Sequence, residues 1–189
     1  MTRAIVESIK KCFHELDPCT NSNYSKFKVI HTDLTLTVSF ESKTLDGTVV
    51  YDLKNLDNAS EVILDTSALN IKSTKVNGKE VSFELKPVTP IYGAPLRIPI
   101  NPNESEIQVE ISFSTTDKCT AIQFIQGDTG PYVFSQCEAI HARSLFPCFD
   151  TPAVKSPYKF TGHSPAVVTM SGRAQPTDEP NTYHFDQPR

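Results

Sequence analysis

No apolar run in this 189-residue chain approaches the roughly 18–20 residues that a membrane-crossing helix needs, so the sequence offers no such span. No cluster of lysine and arginine stands out either. With 18 basic and 22 acidic residues the formal net charge is −4, and the electrostatic signature of a nucleic-acid binder is missing. The start carries no leader of basic, apolar and small-residue blocks. Without one, the five cysteines (Cys12, Cys19, Cys119, Cys137 and Cys148) are odd in number and loosely spaced, and read as free thiols in a reducing compartment. The N-x-S triplets at Asn23, Asn58 and Asn103 read as chance for the same reason. The expected location is the cytoplasm, with the nucleus as the alternative. A mitochondrial presequence is disfavoured because Glu7 and Glu15 interrupt the first sixteen residues, and such peptides are poor in acids. There is no internal repeat and no low-complexity segment.

What is there is enough for one domain with a sizeable core: 38% of residues are hydrophobic. Ile5, Ile9, Phe13 and Leu16 fall at helical spacing, which predicts a short N-terminal helix, followed by a turn-rich linker to about residue 20. From residue 29 the period changes to two. In DLTLTVSFE, Leu34, Leu36, Val38 and Phe40 alternate with Thr35, Thr37 and Ser39, as a strand with one buried face does. Asp46-Gly47 reads as a hairpin turn leading into TVVYDL. Asn77-Gly78, between two alternating runs, is the strongest local hairpin signal in the chain. EVILD, PLRIPI, IQVEISFST, CTAIQFI and PYVFSQ read as further strands. After Pro152 the signal weakens, and AVVTMSG and TYHFDQ are expected to be strands. Short strands about every ten residues with turn residues between them predict an all-β antiparallel sandwich over residues 21–189. The chain stops just after the last of these strands, which leaves an expected sheet edge or an absent partner.

The densest stretch is FSQCEAIHARSLFPCFDTP, residues 134–152. Cys137, His141, Cys148 and Asp150 do not show the paired close spacings of a structural zinc site, and H-E-x-x-H occurs nowhere in the chain, so no metal ligands are assigned. Cys137 with His141 could be pictured as a nucleophilic pair, but no third group orients it. Continued as a strand, the segment puts Gln136 and Glu138 on one side and Cys137 on the other. An amide beside a carboxylate at a strand end can hold an ammonium group. Ser135-x-x-Glu138 also has the form of a helix capping box, with AIHARSLF as one or two helical turns. Arg143 and Asp150 are candidates for a buried ion pair that pins this turn to the sheet.

QCEAIHARSLFPCFDTPAVKS resembles the segment Q-x-E-A-x-x-A-R-x-x-x-P-C-x-D-x-P-x-x-K of the M1 family of zinc aminopeptidases, in its leukotriene A-4 hydrolase/aminopeptidase branch. SNYSKFKVIHTDLTLTVSFESKTLDGTV, LDTSALNIKSTKVNG and TTDKCTAIQF resemble the same branch, so the likeness covers roughly residues 20 to 187. It is to the N-terminal β domain alone, and implies a saddle-like antiparallel sandwich. It also implies that Gln136, Cys137 and Glu138 are the peptide-contacting triplet, with Glu138 on the free amino terminus of a substrate. The family's G-x-M-E-N loop, zinc motif with its distant Glu, and transition-state tyrosine do not occur in these residues. The resemblance therefore implies no cofactor in this chain, zinc in a catalytic domain that partners it in cis or in trans, and no activity for this chain alone. The alternative is a non-catalytic sandwich, a truncated product that binds peptides or docks a separate catalytic chain.

Overall fold

The alternating run that opens the β region becomes the centre of a large sheet in the computed structural model, which describes residues 17–188. The expected N-terminal helix lies outside the described residues. In chain order the strands are β1 (Phe27–Ser39), β2 (Thr44–Asn55), β3 (Glu61–Thr66), β4 (Asn70–Val76), β5 (Lys79–Val81), β6 (Glu84–Leu85), β7 (Ala94–Pro99) and β8 (Glu106–Ser114). They are followed by β9 (Ile122–Gly127), β10 (Gly130–Ser135), β11 (Tyr158–His163), β12 (Arg173–Gln175) and β13 (Thr182–Gln187). Two single turns of 3-10 helix, Tyr24–Lys26 and Ala142–Ser144, complete the list of elements.

Eight strands form one sheet in the order β12-β13-β11-β1-β2-β8-β4-β5; β3-β7-β6 form a second sheet, and β9 and β10 pair as a hairpin. The inward face of the large sheet carries Leu34 and Leu36 of β1, Val49, Tyr51 and Leu53 of β2, and Ile107, Val109, Ile111 and Phe113 of β8. These meet Val62, Leu64, Leu96 and Ile98 from the second sheet in one core. The all-β sandwich is therefore the observed architecture, with antiparallel pairing nearly throughout.

The structure differs locally from the sequence reading in three places. First, Asp46-Gly47 is not a turn. The chain reverses at Phe40–Lys43, where Lys43 adopts φ 54°, and Gly47 lies inside β2 opposite Leu36 and Phe113. A Cβ at Gly47 would stand 2.6 Å from Phe113 Cζ and 2.9 Å from Leu36 Cδ2, so the glycine serves packing and not reversal. Gly47→Ala is accordingly expected to cost about 1–3 kcal/mol by overpacking; an unchanged urea midpoint would refute this. Second, AVVTMSG is not a strand. Third, Tyr158–His163 is a strand that the pattern did not announce, and it pairs in parallel with β1, Thr32 facing Tyr158 through Thr37 facing His163. Asn77-Gly78 does make the β4–β5 turn, with φ of 50° and 78°, the two left-handed residues that a type I′ hairpin requires.

The outer edge of β3 is covered rather than open. Asn23 accepts the Ile63 N–H through its side chain at 2.9 Å and donates its own N–H to Ile63 O at 3.3 Å. Further along, Asp65 and Cys148 exchange both backbone hydrogen bonds, at 2.8 and 3.1 Å. This bridge attaches the 142–150 turn to the second sheet. Tyr51 attaches it to the large one, donating its hydroxyl to Pro147 O at 2.7 Å.

Candidate functional site

β10 ends at Ser135, but its ladder runs one bond further: Gln136 N–H donates to Ala121 O at 2.8 Å. Gln136 and Glu138 are exposed and Cys137 between them is half-buried, with Glu138 opening a turn. The Gln136 side chain turns back to accept the Glu138 N–H through Oε1 at 3.0 Å. That bond sets the two side chains next to each other. It also leaves the Gln136 amide NH2 and the Glu138 carboxylate directed to solvent. Among the described residues the Glu138 carboxylate pairs with no lysine or arginine.

The capping-box arrangement does not form. The single helical turn begins at Ala142, preceded by His141 with no side-chain cap. Glu138 lies before that turn, and its backbone N–H goes to Gln136 and not to Ser135. The site is a loop with an inward thiol and two outward polar groups. Tyr132 and Phe134 precede it on the same strand, both exposed, with ring centroids 6.4 Å apart. Beside Ser135 a groove of about 220 Å³ opens between the hairpin and the large sheet. Leu36, Val38, Phe134, Leu145 and Met170 line it, an apolar lining suited to burying side chains and not to holding an ammonium group.

Beneath this loop lies a buried ionic base. Arg143 is 1% exposed and its guanidinium donates to four acceptor atoms on three residues. Nε donates to Asp150 Oδ2 at 2.7 Å, Nη1 to Tyr92 O at 2.9 Å, and Nη2 to Cys19 O at 2.8 Å and Asp150 O at 3.3 Å. Arg143 Nη1 also faces Asp65 Oδ1 at 3.6 Å. Asp65 is fully buried and accepts from the Thr20 hydroxyl, from Asn21 N–H at 2.7 Å and from Asp150 N–H at 3.1 Å. Burial raises the Asp65 carboxyl above its usual range, against the pull of these hydrogen bonds and of Arg143. Asp65 was not singled out in the sequence, yet EVILD carried the signal: a carboxylate inside an otherwise apolar strand needs a cation and donors to be buried at all.

Cys137 and Cys148 do not form reactive centres. Burial pushes both thiols up, Cys148 well above the usual value, with Asp150 adding to the effect. His141 binds the Thr120 hydroxyl through Nδ1 at 2.7 Å. Native-state alkylation by iodoacetamide near pH 7.5 is expected to be slow at Cys137 and Cys148 and fast after denaturation. Equal rates at Cys148 in both states would overturn the assignment. Among the described residues no group of three or more His, Cys, Asp and Glu converges to hold a metal ion. These residues do not fit a zinc site.

Fold and site together define a β-sandwich domain that presents, just past a strand end and above a buried arginine–carboxylate base, an amide and a carboxylate that has no lysine or arginine partner among the described residues. The chain belongs to the Peptidase M1 N-terminal domain family, which matches residues 27–188. It is 99% identical over 188 residues to leucine aminopeptidase 2 of Candida albicans, a match covering 100% of this chain and 30% of that protein. It is 66% identical over 182 residues to leucine aminopeptidase 2-1 of Scheffersomyces stipitis, covering 96% of this chain and 29% of that one. The chain thus spans about 30% of the length of these curated relatives. Native leukotriene A4 hydrolase from Saccharomyces cerevisiae superposes with a TM-score of 0.91 at 41% identity, over 100% of this chain and 31% of that one. An M1 zinc metallopeptidase from Deinococcus radiodurans shares the fold, with a TM-score of 0.65 at 19% identity over 86% of this chain and 39% of that one.

Proposed function

We propose that this chain is the substrate-anchoring N-terminal domain of a leukotriene A4 hydrolase-like M1 metallo-aminopeptidase, and that Gln136 and Glu138 hold the free amino terminus of a peptide. The observation that carries the reading is the exposed Glu138 carboxylate, set beside Gln136 and without a cationic partner among the described residues. A carboxylate in that state is a receptor for an ammonium group, and a fixed neighbouring amide gives the pair a direction. Zinc, when bound in a catalytic domain joined in cis or in trans, would supply the activated water that amide cleavage needs. The residues of this chain orient the amine and leave that chemistry to the partner domain.

The experiment is a comparison of leucine p-nitroanilide with its N-acetylated counterpart, using a full-length M1 chain that carries this domain. Acetylation removes the positive charge and two N–H donors, so turnover of the blocked substrate is expected to fall by at least two decades. Equal turnover of both would overturn the anchoring reading.

A further inference from the structure

We propose that Ser144 is a positioning residue for the amine-binding loop, an inference that rests on the anchoring role given to Gln136 and Glu138. Ser144 is fully buried, and its hydroxyl links the two chain segments that flank the triplet. On one side Ser144 Oγ accepts the Ala121 N–H at 3.0 Å and the Thr120 N–H at 3.2 Å. On the other side it donates to His141 O at 2.8 Å. Ala121 O in turn accepts the Gln136 N–H at 2.8 Å, and Cys137 O accepts the His141 N–H at 3.0 Å.

These bonds close a ring through Gln136, Ala121, Ser144, His141 and Cys137. The backbone immediately before Glu138 is thereby fixed at both ends by one hydroxyl. The Thr120 hydroxyl lies 3.2 Å from the same oxygen and 2.7 Å from His141 Nδ1, which adds a second tie across the same gap. Ser144 touches neither Gln136 nor Glu138. It acts through Ala121 and His141, and among the described residues it is the side chain that hydrogen-bonds both. Removing the hydroxyl leaves two N–H groups, of Thr120 and Ala121, without their acceptor, and only the Thr120–His141 bond at 2.7 Å and the Cys119 thiol on Ser144 O at 3.0 Å then tie β9's entry to the turn. Glu138 would keep its charge and lose its direction, so the loss should fall on recognition of the amine and spare apolar contacts.

The test uses the zinc-loaded full-length chain carrying this domain, well below its melting temperature. Two competitive probes are compared against leucine p-nitroanilide: leucinol, which has the amine, and 4-methylpentan-1-ol, which lacks it. Ser144→Ala is expected to weaken leucinol inhibition about five- to tenfold and to leave 4-methylpentan-1-ol unchanged. In a Glu138→Ala background the effect of the same substitution should shrink to that carried by Gln136, because the charged group it aims is gone. Thr74→Val serves as a stability control. It removes a comparable buried bond, Thr74 Oγ1 to Val81 O at 2.8 Å, in the distant β4–β5 hairpin, and should leave both probes unaffected. Equal weakening of both probes by Ser144→Ala, or a full effect in the Glu138→Ala background, would overturn the proposal. If Glu138→Ala itself leaves leucinol binding intact, the anchoring reading fails and this inference fails with it.

Discussion

Glu138→Ala, introduced into a full-length M1 chain that carries this domain, is expected to lower kcat/KM for peptides by about one to two decades. A charge-assisted hydrogen bond to an ammonium group contributes roughly 1.5–3 kcal/mol, and each 1.4 kcal/mol is a factor of ten. Because the bound amine also places the scissile carbonyl, part of the loss should appear in kcat and not only in KM. Glu138→Gln should be milder, since the amide oxygen still accepts. Neither change should lower the melting temperature appreciably. Glu138 is exposed, caps no helix, and its N–H bond to Gln136 is made by the backbone, which both variants keep. The measurement is kcat/KM and melting temperature on the same two variants. Unchanged kinetics with a depressed melting temperature would reduce Glu138 to a structural residue.

Arg143→Met is expected to be the most damaging single change to the fold, costing about 3–5 kcal/mol. Methionine keeps much of the buried stem but leaves Asp65 and Asp150 facing each other without a cation, removes the donor to Cys19 O, and leaves Tyr92 O with the Asn21 amide alone. For a domain of this size the loss corresponds to roughly 6–20 °C in melting temperature. The cost should also depend on pH, with a sign that follows from proton linkage. Burial already raises the Asp65 carboxyl, and losing the arginine raises it further, so the folded variant holds more protons than the folded parent. Its stability relative to the parent therefore falls as pH rises from about 4 toward 7. Urea unfolding of both proteins at pH 5 and pH 7 measures this. A penalty equal at the two pH values, or larger at pH 5, would show that the network is not held by charge.

How legible the molecule was from its sequence depended on whether each signal was local. The alternating faces of β1 and β8 and the Asn77-Gly78 turn are decided by neighbours within a few residues, and they were readable. Gly47 was misread because a glycine after an aspartate looks the same whether it turns the chain or makes room for Phe113, a residue that meets it only in the folded sheet. The strand at Tyr158–His163 was missed because its pairing with β1 joins distant parts of the chain and its own burial alternates poorly. At the site, Gln136 and Glu138 could be named from strand alternation and resemblance, and the apolar strand around Asp65 marked that carboxylate as needing partners without naming them, whereas nothing local marks Ser144. Their importance lies in distant partners: no spacing rule brings Thr20, Asp65, Arg143 and Asp150 to one point, or Ser144 to Thr120 and Ala121.

The parallel pairing of β1 with β11 has a consequence for how the chain is made. Thr32 meets Ser156 at 2.9 Å across 124 residues of intervening sequence. On a ribosome adding roughly 5–20 residues per second, β1 must wait several seconds or more for that neighbour. Its other flank can close at once on β2, and β8, β4 and β5 can follow by antiparallel steps. One flank of β1 therefore emerges as an unprotected ladder of N–H and C=O groups, and it stays so until β11 arrives. Nascent chains arrested short of residue 156 should accordingly engage chaperones more than chains arrested beyond β13, with the exposed flank of β1 as the recognised element.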